Sequence, residues 1–129
     1  MPSVGEIMSG DVLAVESATT LEDAARRMHE RRVGAVVVLD ENARLLGIVT
    51  ERDVLRAVAT GGVEGPVSDV MTPSPETVEP DESAGQAAVL MIHGGFRHLP
   101  VVAEGAVVGM ISIRDLVRLT VDDEAPRGV

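Results

Sequence analysis

The chain contains no cysteine, lysine, tryptophan or tyrosine, and Phe96 is its one aromatic ring. Without cysteine there is no thiolate nucleophile, no disulfide framework and no cysteine-ligated zinc or iron–sulfur site. Without lysine there is no Schiff base and no P-loop lysine. A single ring cannot build a stacking platform for single-stranded nucleic acid. Positive charge is scarce too. Eleven arginines stand against 21 acidic residues, a formal net charge of −10. The basic footprint that grips a phosphate backbone is missing, so nucleic acid is not an expected partner. The longest apolar run, Ala87 to Ile92, falls far short of the roughly 20 residues that span a bilayer. The opening Met1-Pro2-Ser3-Val4-Gly5-Glu6 has neither the basic start nor the apolar core of a signal peptide. The expectation is a cytoplasmic protein without a membrane partner.

What is present repeats itself. Val4-Gly5-Glu6-Ile7-Met8-Ser9 lies over Val67-Ser68-Asp69-Val70-Met71-Thr72, 63 positions on. At that offset Val15 meets Val78, Ala24 meets Ala87, and Met28 meets Met91. One deletion later, Gly47-Ile48-Val49-Thr50-Glu51-Arg52-Asp53-Val54 lies over Gly109-Met110-Ile111-Ser112-Ile113-Arg114-Asp115-Leu116. Chance does not readily match both ends and the middle of two such units, so 129 residues divide into a tandem duplication. The expected division is a first repeat over 1–62, a linker over 63–66, a second repeat over 67–121 and an acidic, disordered tail over 122–129.

Both units show the same order of elements. Thr20 is placed to cap a helix whose apolar stripe is Leu21, Ala24, Ala25 and Met28, at i, i+3, i+4, i+7 spacing. Ala35-Val36-Val37-Val38-Leu39 is β-branched, too short for a helix and too uniformly apolar for a half-exposed strand. A turn at Asp40–Ala43 and a second strand from Leu45 follow, then a helix opened by Thr50. The second unit matches it, with Ser83 as cap, Gly94-Gly95 as stop, strands over 98–102 and 106–111, and Ser112 opening the last helix. A leading strand near Val12–Val15 completes the unit. The fold class is α+β, a pair of β-α-β-β-α repeats. Sheets this small cannot cover both faces alone, so the units are expected to pack through their sheets about a pseudo-two-fold axis, leaving two related clefts.

The sharpest local signal is Gly-h-h-[Thr/Ser]-x-Arg-Asp-h, where h is apolar, found once per unit at the strand-to-helix junction. Thr50 with Asp53, and Ser112 with Asp115, satisfy capping-box logic, with Asp where Glu or Gln is usual. A hydroxyl beside the open N–H groups of a helix N-terminus is also a ready phosphate site. A carboxylate one turn in can accept hydrogen bonds from both ribose hydroxyls. From these residues alone, cap and nucleotide grip both stand.

Taken together, Val-x-[Glu/Asp]-[Ile/Val]-Met at 4–8 and 67–71, Arg97-His98-Leu99-Pro100-Val101-Val102 and the two Gly-h-h-[Thr/Ser]-x-Arg-Asp segments resemble a cystathionine β-synthase (CBS) domain pair of stand-alone, two-repeat type, over residues 4–119. The resemblance implies two facing β-α-β-β-α units that usually dimerise, and a regulatory module rather than an enzyme. It also implies adenosine-containing ligands in the clefts: AMP, ADP or ATP, with NAD or S-adenosylmethionine as further candidates and Mg²⁺ accompanying a di- or triphosphate. Thr50, Arg52 and Asp53, and Ser112, Arg114 and Asp115, then look like phosphate–ribose sites. Arg97-His98 matches a phosphate-meeting pair, and Gly34-Ala35 stands there in the first unit. Pro100 joins the strand edge beside the adenine. The implied partners are a second copy of the chain and a regulated protein in trans. The alternative is a dimerising scaffold without ligand, its hydroxyl–Asp pairs serving only as caps.

The remaining candidates have plainer explanations. His29 and His93 lack a second ligand one turn away, so solvent-facing or capping roles are expected rather than zinc. Met8, Met28, Met71, Met91 and Met110 read as core side chains rather than a metal box, on the recurrence of methionine at matched positions. The run Arg26, Arg27, Arg31 and Arg32 reads as a solvated helix face with Glu22 and Glu30 as partners. For Phe96, beside Gly94-Gly95, the core is the first expectation, with the cleft rim or a dimer seam as the alternatives.

Overall fold

The computed structural model describes residues 2–124. The chain runs α1 (Val4–Ile7), β1 (Ala14–Glu16), α2 (Leu21–Arg31), β2 (Ala35–Leu39), β3 (Leu45–Thr50) and α3 (Glu51–Thr60). A 3₁₀ turn over Val67–Asp69 leads to β4 (Thr72–Pro73), α4 (Ala84–Gly94), β5 (His98–Ala103), β6 (Ala106–Ser112) and α5 (Ile113–Glu124). The α+β repeat order expected from the sequence is present in both halves. Helix α5 extends into the stretch expected to be a disordered tail. Its apolar positions Val117 and Val121 keep i, i+4 spacing up to that point. Residues 125–129 lie outside the described residues.

The caps fall where the sequence puts them. The Asp23 N–H donates to Thr20 Oγ1 at 3.1 Å, and Ser83 and Gln86 bond reciprocally at 3.1 and 2.8 Å. The two long helices end differently at matched positions. Gly95 takes the left-handed turn after α4 (φ 73°), whereas after α2 it is Arg32 (φ 56°). A side chain in that region is strained by about 1 kcal/mol, which glycine avoids.

In the first sheet the order is β1-β2-β3-β4, with β1 parallel to β2 and the other pairs antiparallel. In the second, β5 and β6 are antiparallel, flanked by a parallel bridge from Val78 to Val101 and an antiparallel one from Ser9 to Met110. The arrangement is the same, with the leading strand reduced to Val78.

The edges show an exchange that the repeat alone does not announce. Strand β4, from beyond the linker, closes the first sheet, and Ser9, from the opposite end of the chain, closes the second. Val67 is buried in the first core with Leu13, Leu21, Met28 and Val49. Its counterpart Val4 is buried in the second core with Val78, Met91, Leu99 and Ile111. Gly47 and Gly109 explain the pairing of motifs. A Cβ at Gly47 would run into the Met71 side chain, and one at Gly109 into Met8. The glycine that opens each Gly-h-h-[Thr/Ser] segment is the seat for the methionine of the crosswise Ile/Val-Met segment.

A third cluster lies between the sheets. Ala35, Val37, Ile48 and Met110 pack there, with Val12, Leu39, Leu45 and Val107 around them. The two units therefore face each other through their sheets, and Val36, Val37 and Val38 of β2 are all fully buried because both faces are covered. Their polar ends open into two clefts.

Candidate functional site

Each cleft is organised by a strand that becomes a helix. Strand β3 ends at Thr50, paired with Ala35, and β6 ends at Ser112, paired with His98. The first helical amides are already used: Glu51 N–H donates to Gly34 O at 3.0 Å and Ile113 N–H to Arg97 O at 2.9 Å. These bonds fix both helix N-termini against the neighbouring strands.

The hydroxyl–carboxylate pairs close as caps. Thr50 N–H and Oγ1 donate to Asp53 Oδ2 at 2.8 and 3.2 Å, and Ser112 N–H and Oγ donate to Asp115 Oδ2 at 2.8 and 3.1 Å. All of these bonds fall on one carboxylate oxygen. Of the other pair of oxygens, Asp53 Oδ1 lies 3.7 Å from the Arg56 guanidinium. Asp53 is buried, the one charged residue so placed among the described residues. The same side chains can thus hold the helix start and offer an acceptor to a ligand.

The larger cleft, about 900 Å³, is built around Ser112, Arg114 and Asp115 and reaches across to Gly34 and Ala35. Arg32, Arg97 and Arg118 bring further positive charge, with Glu51 and Asp11 among the acidic groups. The smaller cleft, about 220 Å³, is built around Thr50, Arg52 and Asp53, with Arg56 beside them and Phe96 and Leu99 opposite. Arg97, His98 and Glu51 line both clefts.

Ten of the eleven expected site residues are thus distributed over the two clefts. Pro100 is not brought in. It is buried within β5, and its carbonyl accepts the Val78 N–H at 3.1 Å. Phe96 takes the cleft-rim alternative rather than the core: it is 38% exposed and lines the smaller cleft. Its ring occupies the space that a Cβ at Gly94 would need. Sequence reasoning missed Arg56 and Arg118. They stand one turn after Arg52 and Arg114, at matched positions of the two units, so aligning the repeats four residues further would have found them. The arginine run on α2 is divided: Arg26 and Arg27 pair with Glu22 and Asp23 on their own helix, Arg31 pairs with Asp11 at 2.6 Å, and Arg32 turns to the larger cleft. Glu30 lies on the larger cleft instead of pairing with that run. His29 and His93 are solvent-exposed. Among the described residues no group of three or more His, Asp or Glu side chains is placed to hold a metal ion.

The CBS domain family model matches the chain twice, over residues 4–60 and 67–122. The chain belongs to the CBS domain family. An uncharacterised 17.7 kDa protein of Acidianus ambivalens is 37% identical over 120 residues, covering 92% of this CBS pair and 73% of that protein. The pair spans only 19% of a longer CBS domain-containing protein of Arabidopsis thaliana, to which it is 45% identical over 104 residues, 78% of the pair. Among solved structures, the CBS domain pair of protein MJ0100, in complex with 5′-methylthioadenosine and S-adenosyl-L-methionine, superposes with a TM-score of 0.91. It is 25% identical, covering 96% of this chain and 99% of that one. CBSX2 in complex with AMP superposes at 0.82, with 28% identity and the same coverage.

Proposed function

We propose that this CBS pair is a regulatory module of the cytoplasm that holds adenosine-containing nucleotides of the AMP, ADP or ATP type in its two clefts. It acts on a partner protein in trans and has no catalysis of its own. One observation carries the reading. In both clefts a helix N-terminus, a hydroxyl and a half-used carboxylate stand together with arginines, in a chain otherwise poor in positive charge. The N–H groups and arginines suit phosphate, and the carboxylate suits the ribose diol. Aliphatic walls such as Val12, Val33 and Met110 in one cleft, and Ile48 and Leu99 in the other, suit an adenine ring without aromatic stacking. The adenosine ligands of MJ0100 and CBSX2 support the same ligand class. Mg²⁺ would arrive with the phosphates of ADP or ATP rather than at a site of the chain's own carboxylates.

A thermal-shift panel of AMP, ADP, ATP, NAD and S-adenosylmethionine tests the proposal. A ligand at a hundredfold its dissociation constant stabilises the chain by roughly 2.7 kcal/mol. At least one adenosine ligand should do so, and Asp53→Ala and Asp115→Ala should reduce the shift. Silence from all five at millimolar concentration would favour a ligand-free scaffold, the reading to which the closed caps point.

A second copy of the chain is the proposed occupant of the apolar helix faces. Leu55 and Val58 of α3, Val89 and Ile92 of α4, and Val117 and Val121 of α5 are all more than half exposed. Side chains of this kind gathered on several helices favour association. Light scattering at micromolar concentration should give twice 13.5 kDa, and the single-chain mass would overturn the dimer.

A further inference from the structure

Among the described residues, His98 Nδ1 is the one buried side-chain polar atom without a hydrogen-bond partner. Its position is unusual as well. His98 stands in the wall common to both clefts, and the first unit has Ala35 at the matched position, so one imidazole serves two sites. Gly34 makes room for it. A Cβ there would lie 3.3 Å from both His98 Nε2 and Glu51 Oε1.

Charged groups face the ring from three sides: Glu51 from α3, Asp115 and Arg114 from α5, and Arg97 from the turn just before β5. Burial holds its pKa below the ordinary value of 6.5 and is the largest influence. The two carboxylates pull it up, and the two guanidinium groups push it down. A charged imidazole is stabilised by acceptors or counter-charge at both nitrogens, and no described protein group hydrogen-bonds Nδ1. Glu51 and Asp115 supply part of the counter-charge, and an anion held in either cleft would add to it.

We propose that His98 is a proton-linked anion sensor shared by the two clefts, taking up a proton as the phosphate of an adenosine nucleotide enters either one. The inference rests on the nucleotide reading of the clefts. It makes anionic adenosine ligands bind more tightly as the pH falls, while uncharged adenosine is indifferent. The sign distinguishes it from titration of the nucleotide itself. A phosphate monoester loses its second proton near pH 6, and a site that prefers the dianion would bind more tightly as the pH rises.

The test is an NMR titration of the imidazole signals of wild-type protein with and without AMP, His98 being assigned with His98→Gln. Calorimetry from pH 5.5 to 8, in two buffers of different ionisation heat, counts the protons. The midpoint of His98 should rise by about one unit or more when AMP is bound. AMP affinity should fall by up to about tenfold per pH unit between the free and bound midpoints, the limit for one linked proton. His98→Gln should remove that slope. A His98 midpoint unmoved by bound AMP overturns the sensor and leaves the nucleotide reading intact. An absence of binding heat at every pH overturns the nucleotide reading, and the sensor with it.

Discussion

The two clefts come from one duplicated ancestor yet differ about fourfold in volume, roughly 900 against 220 Å³. Their working ends are nearly identical, with the same backbone lock, the same hydroxyl–carboxylate cap and arginines at matched positions 52/114 and 56/118. The difference lies in what stands opposite. Across from Ser112, the first unit supplies small Gly34 and Ala35, with Arg32 at the rim. Across from Thr50, the second unit supplies Phe96, Arg97 and His98. Gly34, Ala35 and Phe96 thus line the cleft of the other unit's helix, while Arg97 and His98 line both. On the proposed nucleotide reading, a phosphate chain would find more room and more cations in the Ser112 cleft, and the Thr50 cleft would suit a more compact ligand.

The strongest way to separate the clefts is to remove one carboxylate at a time. Asp115→Ala should weaken nucleotide binding at the larger cleft about a hundredfold, the loss of roughly 3 kcal/mol of hydrogen bonding to a charged group, and the lost cap on Ser112 should cost the fold about 1 kcal/mol. Asp53→Ala should weaken binding to the same degree at the smaller cleft. Because Asp53 is buried and its loss strands the Thr50 N–H, the fold should also lose about 2 kcal/mol, read by urea unfolding. Gly47→Ala and Gly109→Ala should each cost about 2 kcal/mol by pushing on Met71 or Met8, and equal losses would show that the crosswise segments support both cores alike. Arg97→Ala should weaken AMP about tenfold in both clefts and adenosine hardly at all, by calorimetry in backgrounds with the other cleft disabled. The smallest effect is on pH dependence. Since burial depresses the His98 pKa in the fold, the unfolded chain binds the proton more readily. Stability should therefore decline as the pH falls from 6.5 through the folded value, and His98→Gln should lessen that decline.

Much of this was legible in the residues. Caps at Thr20 and Ser83, the buried β-branched strand at 35–39 and the pairing of two units follow from local chemistry and periodicity. The exchange of leading segments was not, because Val4 and Val67 carry the same sequence signal whichever core they enter. Nor was the shared position of Arg97 and His98, which depends on how two sheets cross rather than on spacing along either. The sequence left Phe96 between core and cleft rim, because the contact of its ring with Gly94 is one between neighbours that no hydrophobic pattern encodes.

The most direct test of nucleotide binding at the Thr/Ser–Asp pairs is calorimetric titration of AMP into the wild type and the double variant Asp53→Ala, Asp115→Ala. Saturable binding by the wild type, lost in a folded double variant, is the predicted result. Equal binding heat in the two proteins, or none in the wild type, would contradict it.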